Sequence, residues 1–341
     1  MKYSTVSAVS FLASMASAMP KVPAPPPVEW PEEAALMSFT GNSTFEQLLD
    51  HKDPSKGTFS MRYWYNFENW AGPGSPIIFF TPGEIAADGY TGYLTNLTVQ
   101  GVMGEAVSGA NIMVEHRYWG GSSPYDNLDT EALQYLTLDQ AIEDFVYFAK
   151  TVELPFDTNH SSNADKAPWV FTGGSYSGAL AAWTESTSPG TFWAYHASSA
   201  PVEAIKDYWQ YFAPVQQGMP KNCSSDLSLV IDHIDKVLTK GSAAEKHDLK
   251  ARFGLEALVH DDDFGAAIEN GPWLWQSNSF YSNYSGFYKF CDAIENVEAG
   301  AAVTPDEHGV GLEKALTGYA NWTNTTLIPG CELMKDFLFI S

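Results

Sequence analysis

The sequence predicts an α/β protein: a doubly wound, mostly parallel sheet joined to a helical cap, with the last strands of the sheet missing. Three observations lead there. Short apolar runs at 76–80, 111–114 and 169–171 alternate with helix-periodic stretches, the pattern of parallel strands buried on both faces. A glycine-dense turn at 172–178 joins the third run to a helix. After Pro201 the pattern changes to helices without strands.

Taken in order, residues 1–18 read as a secretory signal: Lys2, a mostly apolar run from Val6 to about Ala13, and Ala16-Ser17-Ala18 as the cleavage site. Residues 19–35, with Pro23, Pro25, Pro26, Pro27 and Pro31, read as an extended linker or pro-segment. The sheet domain is expected over 36–205 and the cap over 206–341. Thr58 to Tyr65 alternates enough to be a strand, and Pro76-Ile77-Ile78-Phe79-Phe80 and Asn111-Ile112-Met113-Val114 are continuous apolar runs. From Thr137 to Ala149, Leu138, Ala141, Ile142, Phe145 and Phe148 share one helical face. Phe192 to Ala197 is a further strand candidate. In the cap, Val230, Ile231, Ile234, Val237 and Leu238 recur at helical spacing after Ser225-Asp226, which are good capping residues, and Ser242 with Glu245 forms a capping box.

The chemistry concentrates at Thr172-Gly173-Gly174-Ser175-Tyr176-Ser177-Gly178. A strand, a tight turn around one serine and a helix describe a nucleophile elbow. Ser175 would be the nucleophile, and the Tyr176 amide, at the helix N-terminus, would stabilise an oxyanion. Gly173 and Gly174 before the serine let strand and helix pack closely. Ser177 stands where the second glycine of G-x-S-x-G belongs, and a position needing positive φ would be strained by it. The turn Thr81-Pro82-Gly83-Glu84 could supply the second oxyanion donor, from Gly83 or Glu84, or be a plain strand-to-loop turn. On these residues alone the elbow competes with an ordinary glycine-rich turn.

Of 341 residues, 45% are hydrophobic and 14% aromatic, enough for a sizeable core, and the formal net charge is -23. That charge argues against nucleic acid and anionic membranes as partners. No segment beyond the signal approaches the length of apolar chain that spans a bilayer, so an exported, soluble product is expected. Export gives meaning to the sequons at Asn42, Asn96, Asn159, Asn222, Asn283, Asn321 and Asn324. Of the three cysteines, Cys223 and Cys291 are the expected disulfide, leaving Cys331 alone. No metal-ligand spacing is present, and no cofactor or metal is expected.

With these pieces placed, the chain resembles the prolylcarboxypeptidase and dipeptidyl-peptidase II family of serine peptidases, and within it the secreted fungal acid prolyl endopeptidases. The resemblance is carried by Gln47-Leu48-Leu49-Asp50-His51, Phe59 with Arg62-Tyr63, Glu115-His116-Arg117-Tyr118-Trp119-Gly120 with Ser122 and Pro124, Leu136-Thr137 with Gln140-Ala141, and Gly173-Gly174-Ser175-Tyr176 with Leu180-Ala181-Ala182-Trp183. It implies an α/β-hydrolase domain with an inserted helical cap and cleavage of peptides after proline by an extracellular, or vacuolar or lysosomal, enzyme. It also implies a triad Asp and His from beyond the cap. None is recognisable here: His196 reads as a core histidine, His233 and His247 lie on amphipathic helices, and His260 and His308 sit in polar loops. The end of the chain, Leu333 to Ser341, does not resemble the family, so a C-terminally truncated and inactive copy is one expectation. An esterase or lipase on the same fold and a non-catalytic secreted peptide-binding protein are the alternatives. Trp273, Trp275, Tyr281 and Tyr284 could line a proline-sized pocket or form the cap's core, and oligomeric state is left open.

Overall fold

The computed structural model describes residues 39–278, 283–297 and 305–330. The signal, the proline-rich segment, Tyr281 and Cys331 lie outside the described residues. The chain divides into two compact units, broken between Ala204 and Ile205.

The first unit is a six-stranded sheet in the order β1-β2-β4-β3-β5-β6. Its strands are β1 (Thr40–Leu48), β2 (Thr58–Asn66), β3 (Ile77–Phe80), β4 (Ala110–Val114), β5 (Trp169–Gly174) and β6 (Ala194–Ser198). β1 pairs antiparallel with β2 and β2 with β4, while β4, β3, β5 and β6 run parallel. The parallel centre explains the unbroken apolar runs: every residue of β3 and β4 is buried. Successive residues feed two apolar layers. Tyr63, Phe79, Ile112 and Phe171 pack with Phe145 and Phe148. Trp64, Phe80 and Met113 pack with Tyr90 and Tyr93.

Three helices serve the sheet: α1 (Val99–Ala106), α2 (Leu138–Thr151) and α3 (Tyr176–Thr187). Thr137 caps α2 by accepting from the Gln140 amide, and Ala141, Ile142, Phe145 and Phe148 of the predicted face are buried, while Leu138 in the first turn is 45% exposed. The apolar pattern of the sequence predicts neither α1 nor β1; in β1, Gln47 and Leu48 fall inside a strand paired to Phe59 and Thr58.

The second unit is helical: α4 (Ala213–Gly218), α5 (Lys221–Lys240), α6 (Ala243–Arg252), α7 (Asp261–Trp273), α8 (Gly286–Ile294) and α9 (Leu312–Trp322). Cys223 of α5 is bonded to Cys291 of α8, inside a cluster that includes Phe264, Phe287, Phe290 and Tyr319. The Ser242 and Glu245 capping box opens α6. Ser225 and Asp226 do not cap α5, which begins at Lys221. The Asp226 carboxylate is fully buried and instead accepts from the amides of Val310 and Gly311 at 2.9–3.0 Å, holding the loop before α9 from 84 residues away in sequence. Trp273 stacks on Tyr211 and Trp275 packs edge-on to Phe287, while Tyr284 is exposed and donates to Asp292. Among the described residues no helix is long and apolar enough to cross a membrane, and no group of His, Cys, Asp or Glu could hold a metal ion.

Candidate active site

β5 ends at Gly174 and α3 begins at Tyr176, so a single residue makes the turn. That residue is Ser175, at φ 57° and ψ −129°. A non-glycine residue there is strained, and the surroundings must hold it. They do so through the backbone. The Ser175 amide donates to the Ser198 carbonyl of β6 at 2.9 Å, and the Ser175 carbonyl accepts from Ala179 at 2.9 Å. Close approach does the rest: a Cβ on Gly173 would stand 2.2 Å from the Ser177 carbonyl oxygen, so only glycine lets β5 and α3 meet. Gly174 has no such neighbour. Ser177 carries no strain, because it lies within α3 and the positive φ belongs to Ser175 itself.

The Ser175 hydroxyl is buried and has no hydrogen-bond partner among the described residues. No side chain caps α3, so its first amides, Tyr176 included, face the turn. Beside them runs the 81–84 turn. Gly83 has φ 80°, and a Cβ on it would meet the Ser177 Oγ at 2.6 Å and the Tyr176 ring at 3.3 Å. The two predicted oxyanion segments are therefore neighbours in space. The Gly83 amide has a long bond, 3.3 Å, to the Thr81 hydroxyl. Glu84 is half-buried, and burial pushes its carboxyl above the usual range.

Behind the elbow lies a polar network. The Glu115 carboxylate, fully buried, accepts from Arg62 at 2.6 and 2.8 Å, from Ser122 at 2.6 Å and from the Ala87 amide at 2.9 Å, which ties down the segment following Glu84. Asp144 of α2 takes two 2.6 Å bonds from Arg117 and one of 2.7 Å from His51. His116 is buried, with Nδ1 2.8 Å from the Arg117 carbonyl and Nε2 3.0 Å from the Tyr176 hydroxyl. Burial lowers its pKa to about 4.

None of the sheet unit's four histidines bonds Ser175. His51 is on Asp144, His116 on Tyr176 and His160 on the Val152 carbonyl, while His196 sits on β6 opposite Thr172 with a buried, unpartnered Nδ1. In the helical unit His247 and His308 are exposed beside Asp248 and Glu307, and His260 precedes α7. The sequence reading used His51, Arg117 and Gln140 only as marks of resemblance. The structure ties them into one network, with Asp144 binding Arg117 and His51 and the Gln140 side-chain oxygen accepting from the His51 amide at 3.0 Å, and their spacing in sequence carries no signal of it.

A strained serine on a strand-turn-helix, with the 81–84 turn packed beside it, suits acyl transfer through a covalent serine intermediate. Residues 47–270 match the family described as serine carboxypeptidase S28. This chain belongs to the S28 family. Its members are serine peptidases, and the chain is similar to the serine protease vicPa of Bipolaris victoriae, 47% identical over 89% of this chain and 57% of that protein. A second protease of the same fungus, vicPb, is 44% identical over 89% of this chain and 56% of its own length. A probable extracellular serine carboxypeptidase of Arthroderma benhamiae is 30% identical over 80% and 40%. The S28 chain thus spans little more than half the length of the two Bipolaris proteases and two fifths of the Arthroderma protein. An esterase of Pyrobaculum calidifontis superposes with a TM-score of 0.33 at 13% identity over 61% of this chain and 56% of that one, too low to bear on its chemistry.

Proposed function

We propose that the chain is a secreted S28 serine peptidase that cleaves peptides after proline, with Ser175 as the nucleophile. The observation that carries the reading is the Ser175 backbone, strained at φ 57° and held by Ser198, with its hydroxyl free of partners among the described residues. In the reaction Ser175 Oγ attacks the acyl carbonyl, and the Tyr176 amide with an amide from Gly83 or Glu84 holds the oxyanion. The proton of Ser175 needs a base. No histidine of the sheet unit is bonded to Ser175, so turnover by these 341 residues alone is expected to be slow. Loss of a triad member in serine proteases removes about four to six orders of magnitude.

Secretion rests on residues 1–18. Glycans are proposed at Asn42, Asn96, Asn159, Asn283 and Asn321, which are exposed. Asn222 and Asn324 are poorer acceptors. Asn222 is half-buried against Glu295, and the Asn324 side-chain nitrogen donates to the carbonyls of Arg252 and Ala320. The test offers the secreted chain proline-containing peptides and matched peptides with proline replaced by alanine, beside simple acyl esters. Cleavage of the proline peptides, lost in Ser175→Ala, supports the reading; ester turnover without peptide cleavage contradicts it.

A further inference from the structure

We propose that His116 is a positioning residue of the serine site: it holds the Tyr176 side chain, and through that side chain keeps the elbow against the 81–84 turn. The inference rests on Ser175 being the nucleophile. It starts from the direction of two hydrogen bonds. The Arg117 carbonyl can only accept, so His116 Nδ1, 2.8 Å away, carries the hydrogen. The neutral ring then has its lone pair on Nε2, and the Tyr176 hydroxyl donates to it at 3.0 Å.

Both ends of this link are fixed. The guanidinium of Arg117 is fully buried and spends all five N-H donors, on Asp144 twice and on the carbonyls of Leu48, Leu49 and Tyr135. The imidazole itself lies between the rings of Trp119 and Phe145, at centroid distances of 4.9 and 6.2 Å. Asp144 and Arg117 are the charged groups acting on it, and burial keeps it neutral down to about pH 4. At the other end the Tyr176 ring lies on the backbone of Gly83, whose added Cβ would come within 3.3 Å of Cδ1. Tyr176 is also the first residue of α3, directly after Ser175. One side chain therefore touches both segments that would supply oxyanion amides, and His116 fixes where it stands. Small displacements of such amides weaken a serine site sharply, because their stabilisation depends on geometry set before the reaction.

The experiment measures the rate at which a fluorophosphonate modifies Ser175 in the 341-residue chain, with folded fraction checked by circular dichroism. Tyr176→Phe keeps the ring and loses the hydroxyl. His116→Leu loses both bonds, and His116→Gln keeps one donor and one acceptor. The expected result is a loss of about tenfold in Tyr176→Phe and in His116→Leu, no further loss in the double variant, and recovery to within about threefold in His116→Gln. Nitrogen NMR of labelled histidine adds a readout that a merely structural role would not set: at pH 6, Nδ1 protonated and Nε2 not, with the Nε2 signal moving in Tyr176→Phe. If His116→Leu does not fold, Tyr176→Phe and the spectrum decide alone. Wild-type labelling rate in folded Tyr176→Phe, or an Nε2-protonated ring, overturns the proposal. No labelling of the wild type with the Nδ1-H ring intact overturns the nucleophile reading instead and leaves the His116 to Tyr176 link supported.

Discussion

Arg117 has no flexibility left to lose, since every donor it owns is used inside the fold. Its charge is tolerated there because Asp144 answers it bidentately. Removing the partner is therefore worse than removing the pair. Asp144→Ala should destabilise the sheet unit by about 3–5 kcal/mol, read from urea unfolding, whereas exposed pairs such as Lys52 and Asp139 should contribute less than about 1 kcal/mol. Equal effects at the two sites would mean that the buried pair is not the clamp described. The sequence showed this network only as residue types. Arg117 and Asp144 are 27 positions apart, and nothing in their spacing reveals that a helix and a strand end bring them together. Ser175 was legible for the opposite reason, because the elbow's geometry is local and its glycines are written beside it. The same locality misled at Ser177, where the motif suggested strain and the helix has none.

Elements were legible where their apolar pattern was self-sufficient. β3, β4, β5 and α2 are long enough or apolar enough to announce themselves. β1 is not, because the inward positions of this edge strand are Gly41, Ser43, Phe45 and Gln47, mostly small or polar, so its regular alternation of burial leaves no apolar pattern, and the register against β2 identifies it. Asp226 failed for a related reason. Locally it is a helix cap, yet the carboxylate serves the 309–311 loop from another part of the chain. Asp226→Ala leaves two half-buried amides without their carboxylate acceptor and should cost the helical unit about 1–3 kcal/mol. Hydrogen exchange resolved by segment would check this: faster exchange in 305–330 with 39–204 unchanged is expected, and uniform acceleration would contradict it. β6 raises a different point. It holds the elbow through Ser198, yet it is the last strand of the described sheet, and Trp193 just before it is 79% exposed. The element that steadies the nucleophile is thus an open edge of the kind that invites pairing with further polypeptide.

Over the whole molecule, acid acts with opposite sign through two buried groups, His116 of the sheet unit and Glu295 of the helical unit. His116 is held at about 4 by burial, below its ordinary 6.5. Between those values the unfolded ring takes a proton that the folded one refuses, so the sheet unit loses stability as pH falls from 6.5 towards 4. Glu295 of the helical unit is raised to about 7, first by burial and then by the charges of Asp226 and Asp292. There the folded state binds the proton more tightly, so stability is full below about 4.5 and is lost as pH rises to about 7. For His116, fully buried, the swing is on the order of 3 kcal/mol, and for Glu295 solvent screening leaves less. Unfolding followed separately in the two units across pH 4 to 7.5 should show the crossing trends, with Glu295→Gln flattening the second.

The central claim is that Ser175 is a nucleophile presented by its backbone before any base is counted. Prolonged fluorophosphonate labelling of the secreted chain, beside Ser175→Ala and with the adduct located by mass spectrometry, tests it most directly. The predicted result is modification confined to Ser175, orders of magnitude slower than in a serine protease with its triad in place, and absent from the alanine variant. Modification at another residue, or labelling that survives Ser175→Ala, would contradict the account.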